Sequence, residues 1–380
     1  MDYGEESLKQ HKQLGGKISL RLKDDLNTRD KLSLYYTPGV AAVSSFVASH
    51  PKKTRDYTWL NNCIAVVSDG SAVLGLGNIG PYGALPVMEG KAMLFKHFAD
   101  IDAVPIILNV HSADEIVAAV CAIAPSFGGI NLEDIAAPIC FEVEERLKNA
   151  LDIPVMHDDQ HGTAIVVLAG LINATKLLGK DLSRCRIVLI GAGAAGVAIA
   201  KLIHQYAGSE IIAVDTKGVL STNRSDLNEQ KRYLASLNRI THSGNGIMPL
   251  RKAFKNTDIV IGVSQAGMIL PEDICTMNKE PVVLAMANPT PEIMPDIAKK
   301  AGAAIVATGR SDFPNQVNNA LAFPGIFRGA LDNGVRNITD KHKIKAAEAI
   351  AQLVDKPEAD CIIPSVLDPR LTEVVARTIT

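Results

Sequence analysis

Aromatic side chains are scarce in this chain, at 4% of 380 residues with a single tryptophan. That scarcity argues against a surface built on base stacking and against a large aromatic hot spot for a protein partner. An excess of charge of one sign is also missing: 39 basic residues stand against 41 acidic ones, for a formal net charge of −2. Neither a nucleic-acid footprint nor a polybasic membrane surface fits that balance. The six cysteines, Cys63, Cys121, Cys140, Cys185, Cys275 and Cys361, form no CxxC pair, and most lie in apolar runs. Reduced thiols and a cytoplasmic setting are the expectation. The first residues, MDYGEESLKQHKQLGGK, are acidic where a secretory signal needs a basic stretch and an apolar core. Apolar runs such as 164–174 are too short to span a bilayer.

What is present suits a globular enzyme. Hydrophobic residues make up 47% and charged residues 21%, and a chain of this length makes two or three domains. Residues 5–14 and 39–49 read as helices around the turn Tyr36-Thr37-Pro38-Gly39. Residues 62–68 and 72–76 read as two strands of a hairpin about Asp69-Gly70. A helix follows over 85–98, then a strand over 104–110 and a helix over 112–124 with Ser112 and Glu115 as a capping pair. A strand at 129–132, a helix at 139–150, a strand at 153–156 and a long helix at 163–178 complete the first half. The second half has strands at 186–190, 211–214, 259–263, 282–287 and 304–307. Residues 216–248 are polar and read as surface loop and short helix, and helices over 341–354 and 370–379 return to pack on either domain. Strand–helix alternation of this kind makes mainly parallel sheets covered by helices. The predicted fold is α/β, with a first domain over 1–160, a second over 161–340, a C-terminal helical segment over 341–380, and a cleft between the two domains.

The second domain opens with Gly191-Ala192-Gly193-Ala194-Ala195-Gly196, directly after the 186–190 strand. The spacing fits the dinucleotide fingerprint. Gly191 makes the turn, Gly193 admits the pyrophosphate, and Gly196 allows close helix–strand packing, with the phosphates at a helix N-terminus reached through Ala194 and Ala195. Alone, such a pattern is also a tight turn in any α/β protein. Here Asp215 ends the next strand, 24 residues after Gly191, where a ribose hydroxyl acceptor belongs. A Rossmann-type domain binding NAD or NADP is the reading. Asp215 favours NAD, Lys217 and Arg224 nearby could hold the extra phosphate of NADP, and Asp215 could instead cap the turn before Gly218. A second cluster, Gly75 to Gly80, reads as a structural turn or a nest for a substrate carboxylate.

Glu133 and Asp134 end one apolar run and Asp159 ends the next, inside His157-Asp158-Asp159-Gln160-His161. Carboxylates at successive strand ends converge on the crevice where open α/β sheets bind ligands, and such oxygen ligands suit Mg²⁺ or Mn²⁺. Asp158 alone reads as a loop residue or helix cap. His157 and His161 lack a third nitrogen or sulfur ligand nearby, so support of the site or of the fold is a better reading for them than zinc.

These blocks together resemble the malic enzymes, in the short bacterial and archaeal form. The resemblance lies in Tyr36-Thr37-Pro38-Gly39-Val40-Ala41, Ser68-Asp69-Gly70, Leu74-Gly75-Leu76-Gly77-Asn78-Ile79-Gly80 and Glu89-Gly90-Lys91. It continues through Leu132-Glu133-Asp134, His157 to Thr163, Ala287-Asn288-Pro289-Thr290 and residues 315–319, in order along nearly the whole chain. It implies a divalent metal on Glu133, Asp134 and Asp159, Lys91 as general base, and Tyr36 as the acid that protonates the enol. It makes Asn288 and Asn319 substrate ligands, with Asn288 also beside the cofactor. It further implies a homodimer in which Tyr36 crosses to the neighbouring site. Longer members carry an arginine before the glycine block to grip a substrate carboxylate, whereas here that stretch is Ser71-Ala72-Val73. Backbone N–H groups of the glycine loops or a partner's residue are the substitutes to look for.

The implied reaction oxidises L-malate at C2, releases CO2 and leaves pyruvate, reducing NAD(P). Lys91, in the apolar surroundings of Met88, Met93, Leu94 and Phe95, could act as base if its pKa falls toward neutrality; without the resemblance it would read as a snorkelling surface lysine. Tyr35 is the immediate rival of Tyr36. Competing readings are oxaloacetate decarboxylation at the same site, another two-domain dehydrogenase, and a non-catalytic nucleotide-binding regulator. The last would have lost Tyr36, Lys91 or the acids, and all are present.

Overall fold

The computed structural model describes residues 3–73, 75–238 and 247–380. Two sheets organise the chain. The first holds β1 (Cys63–Ser68), β2 (Asp102–Ile107), β3 (Gly129–Leu132) and β4 (Val155–His157), all parallel, in the order β2-β1-β3-β4. The second holds β5 (Arg186–Ile190), β6 (Glu210–Asp215), β7 (Gly218–Val219), β8 (Ile259–Gly262), β9 (Val282–Ala285) and β10 (Ile305–Thr308). Its order is β10-β9-β8-β5-β6-β7, and only β7 runs antiparallel. The strand order reverses at β5, between β6 and β8, which opens a crevice at the carboxyl end of β5.

Alternation along the strands decides what each face covers. In β1, Ile64 and Val66 face one core while Cys63, Ala65 and Val67 face another. In β5, Ile187 and Leu189 join the core of Ile64 and Val66, while Val188 and Ile190 face away. One apolar core therefore runs between the two sheets. The Asp158–Leu177 helix passes through it, buried on most sides, with the Asp340–Gln352 helix packed against it. The Leu371–Ala376 helix packs on the Phe323–Asn333 helix, where Gly325 and Gly329 leave no room for a side chain beneath Val375 and Ala376.

Most predicted elements are present, and the Ile139–Ala150 helix and the Ser112–Glu115 capping box are as read. The hairpin about Asp69-Gly70 is not. Both edges of β1 are taken by parallel partners, β2 and β3, so a returning strand has no edge to join. Instead the Asp69 carboxylate accepts from the N–H and hydroxyl of Ser71, and Ala72 N–H donates to the Asp134 carbonyl at 3.0 Å. Leu74 of that predicted strand lies outside the described residues, as do 239–246 of the polar segment. The rest of that segment contains β7 and the Glu229–Ser236 helix.

Two helices start earlier than predicted. The one read over 85–98 spans Gly80–Ala99, with Pro81 in its first turn, where a missing N–H costs nothing. The one read from 163 begins at Asp158, directly after β4, with Asp158 and Asp159 in its positive first turn. An unpredicted helix, Arg29–Tyr35, is capped by Thr28. No described residue before Cys63 is buried.

Candidate active site

A buried charge cluster lies at the carboxyl ends of β3 and β4. Lys91, on the inner face of the Gly80–Ala99 helix, is 8% exposed. Its ammonium lies 2.7 Å from Asp158 Oδ2 and 3.0 Å from Glu133 Oε1, and 4.3 Å from the centre of the Phe323 ring. Asp158 is fully buried, so the loop-residue reading of that aspartate was wrong. The reason is local. As the first helical residue after β4 its side chain folds back over Gly162, where a Cβ would collide with the carboxylate.

Glu133 leaves β3 with its N–H on the Val67 carbonyl, and Asn131 donates to its second carboxylate oxygen at 2.8 Å. Asp134 turns the chain in the left-handed region, at φ 54°, which lets two adjacent acids face one point. Its N–H donates to Asp159 Oδ2 at 2.8 Å. One carboxylate oxygen each from Glu133, Asp134 and Asp159 lies within 4.8 Å of the others. Asp159 reaches this point from the first turn of a helix, not from a strand end as read.

These acids fit a hard divalent ion. Burial raises Glu133 to about 7 even though Lys91 pulls it down, and it raises Asp159 as well. Asp158 rises to about 7 by the same burial, again opposed by Lys91. Excess proton affinity in a set of buried oxygen ligands marks a place where a positive ion relieves strain. Among the described residues no other group of three such side chains could hold a metal. For Lys91, burial acts downward as expected, but Asp158 and Glu133 overcome it and raise the ammonium. In the chain without metal, then, Lys91 is held as the acid form, contrary to the fall toward neutrality expected from sequence.

The histidines support the site. His157 ends β4, is fully buried, and has its ring nitrogen 3.9 Å from Asp159. Burial lowers its pKa. His161 Nε2 meets Glu144 Oε2 at 2.9 Å, and burial pushes it down to about 4. Glu144 also accepts from the His157 N–H at 3.0 Å and from Lys148 at 2.6 Å. Sequence reasoning did not single out Glu144; it lies mid-helix with no neighbour in a motif.

The glycine turn has the shape a pyrophosphate needs. Gly191 has φ 117° against the Val263 carbonyl, a Cβ on Gly196 would collide with the Gly191 carbonyl, and a Cβ on Gly193 would meet only open space. Gly193 precedes the Ala194–Ala207 helix, whose N-terminal N–H groups point toward that space. Asp215, at the end of β6, is not free for a ribose. Arg224 donates to both its oxygens at 2.9 and 3.0 Å, Lys231 donates at 2.7 Å, and the Lys217 N–H at 3.0 Å. Burial opposes these cations, which nonetheless hold the carboxyl down to about 2.

Asn288, in the loop after β9, lies against Gly75, where a Cβ would collide with the Asn288 carbonyl. The side chain of Asn319 packs beside Gly162, at the Asp158 end of the cluster. Tyr36 is not brought to Lys91. It caps the C-terminus of the Arg29–Tyr35 helix and is 67% exposed, while Tyr35 donates to Asp24 at 2.6 Å.

Comparison with known proteins decides the family. Residues 16–148 match the model for the malic enzyme N-terminal domain, and residues 160–379 the model for the malic enzyme NAD-binding domain. The chain belongs to the malic enzyme family. It is 51% identical, over its whole length, to the bifunctional malic/malolactic enzyme of Bacillus subtilis, of which it covers 92%. With the NAD-dependent malic enzyme of Geobacillus stearothermophilus it shares 50% identity over 96% of its length and 76% of that protein. The crystal structure of the NAD-dependent malic enzyme of Thermotoga maritima superposes with a TM-score of 0.93 at 49% identity, covering 98% of each chain. Other malic enzymes that it matches are named NADP-dependent. This malic enzyme oxidises and decarboxylates malate to pyruvate and CO2 with reduction of NAD or NADP. Among the described residues no helix is long and apolar enough to cross a membrane.

Proposed function

We propose that Glu133, Asp134 and Asp159 hold one Mg²⁺ or Mn²⁺ ion, and that Lys91 and Tyr36 carry the two proton transfers. A bound ion would lower the pKa of the malate hydroxyl and stabilise negative charge on its oxygen, and bound NAD or NADP would supply the hydride acceptor. The chain's own residues do the rest. A cation on Glu133 and Asp159 would offset two of the acids that hold Lys91 protonated, so that Lys91 enters the reaction as the neutral amine, takes the hydroxyl proton and is oriented by Asp158. Loss of CO2 from C4 leaves the enolate of pyruvate, which Tyr36 protonates at C3. Asn288 and Asn319 orient the substrate across the cleft. The observation that carries this reading is the position of Lys91 between Asp158 and Glu133, beside the acidic triad. D159N is the test: Mn²⁺ affinity, measured by electron paramagnetic resonance, should fall by about 10²-fold or more with the fold intact. Unaltered affinity would remove Asp159 from the metal site.

Tyr36 is assigned to the site of a second copy. Support comes from the first sixty residues, in which no described side chain is buried although Leu20, Leu22, Leu34 and Tyr36 are more than half exposed. Exposed apolar side chains in this number suit an interface between subunits, and a homodimer would bring Tyr36 to the neighbour's Lys91. Both NAD and NADP are taken as substrates. The cluster at Asp215 sums to one positive charge, with Lys217, Arg224 and Lys231 against Asp215 and Asp226, and all are joined by ion pairs. A 2′-phosphate finds cations there, and a ribose finds Asp215 only by displacing them, so we assign the preference to NADP. The domain division at residue 160 and a cytoplasmic location, supported by six free cysteines, complete the reading.

A further inference from the structure

The stretch before Gly75, Ser71-Ala72-Val73, carries no arginine, and malate brings two carboxylates into the cleft. The structure places a guanidinium, that of Arg310, next to Asn288 and Pro289, whose backbone meets Gly75. Arg310 follows β10 through Gly309, whose Cβ position lies 3.1 Å from Asn288 Nδ2. Arg310 Nη1 donates to the Pro289 carbonyl at 2.9 Å, which fixes the side chain beside Asn288. Its ring-facing side lies 5.3 Å from the centre of Phe313. The remaining edge, Nε and Nη2, grips the Asp312 carboxylate in a two-point fork at 2.8 and 2.6 Å. That fork is the geometry a substrate carboxylate requires. The Arg310–Asp312 pair is partly exposed, at 35% and 47%, so exchanging one carboxylate for another costs little.

We propose that Arg310 is a substrate-binding residue that holds the C1 carboxylate of malate, with Asp312 occupying the same edge when substrate is absent. The choice of C1 follows from the chemistry. The C4 carboxylate leaves as neutral CO2, so a guanidinium clamped on it would stabilise the ground state against the reaction. The C1 carboxylate keeps its charge from malate through to pyruvate. A cation there binds substrate, transition state and product alike, which acts on KM and leaves kcat nearly unchanged.

The proposal rests on the malate reading, and one set of assays on the full-length, Mn²⁺-loaded enzyme separates the two. Wild-type turnover of malate tests the reading itself. R310Q should raise the KM for malate and the inhibition constant of pyruvate by the same factor, about ten- to hundredfold. Its kcat, its KM for NAD(P) and its Mn²⁺ affinity should stay within about twofold. R310K, which keeps the charge and loses the fork, should fall between. D312A frees the Arg310 edge and should lower the KM for malate, by at most about fivefold. An unchanged KM in R310Q, or a rise of equal size in R310Q and D312A, would overturn the assignment, the second outcome because it marks a merely structural pair.

Discussion

Replacing Lys91 by methionine probes the buried charge cluster at its centre. The substitution keeps an apolar stem and removes the ammonium that stands 2.7 Å from Asp158 and 3.0 Å from Glu133. Breaking a buried ion pair from one side costs about 3–5 kcal/mol, because the abandoned carboxylates remain desolvated. In a chain of this size each kcal/mol moves Tm by roughly 1.3 °C, so K91M should melt roughly 4–6 °C lower in EDTA at about pH 8. The pH dependence has a definite sign. Burial raises Glu133 and Asp158 to about 7, so their contribution to stability is complete below the ordinary carboxyl range and is lost as pH rises through about 7. Near pH 5 the acids take up protons. The wild-type ammonium then loses its counter-ions and becomes a burden, while the variant has little left to lose. The gap in Tm should close or reverse there. Thermal unfolding of both proteins at the two pH values, without metal, makes the comparison, and an equal gap at both would refute the charge-cluster account.

Removing Asp215 frees Arg224 and Lys231, so D215A should improve kcat/KM for NADP over NAD by about tenfold, and a shift toward NAD would reverse the reading of that cluster. Hybrids of K91M and Y36F subunits should regain about a quarter or more of the wild-type rate if Tyr36 acts across the interface; a hybrid as dead as its parents would place Tyr36 in its own subunit's site or outside both.

How far the sequence could be read differed between its parts for physical reasons. Strands buried on both faces and helices with clear caps were legible, as at β5 and at Ser112, because local pattern and tertiary role agree there. The hairpin at Asp69-Gly70 failed because the occupancy of both β1 edges is a tertiary fact that no turn signal encodes. The acids of the triad were legible by their place at the ends of apolar runs. Asp158 was misread because its role depends on a lysine 67 residues away and on the space above Gly162. Lys231, the second cationic side chain on Asp215, was missed because it enters from a separate helix. The raised proton affinity of Lys91 depends on three acids meeting it at once, and apolar neighbours in its own helix suggested the opposite.

The most direct measurement starts from enzyme stripped of metal with EDTA and supplied with L-malate and NAD or NADP. Added Mn²⁺ should restore turnover from a negligible rate, with one pyruvate, one CO2 and one reduced cofactor formed per malate consumed. Turnover that persists without divalent metal, or release of CO2 without reduction of the cofactor or formation of pyruvate, would contradict the account.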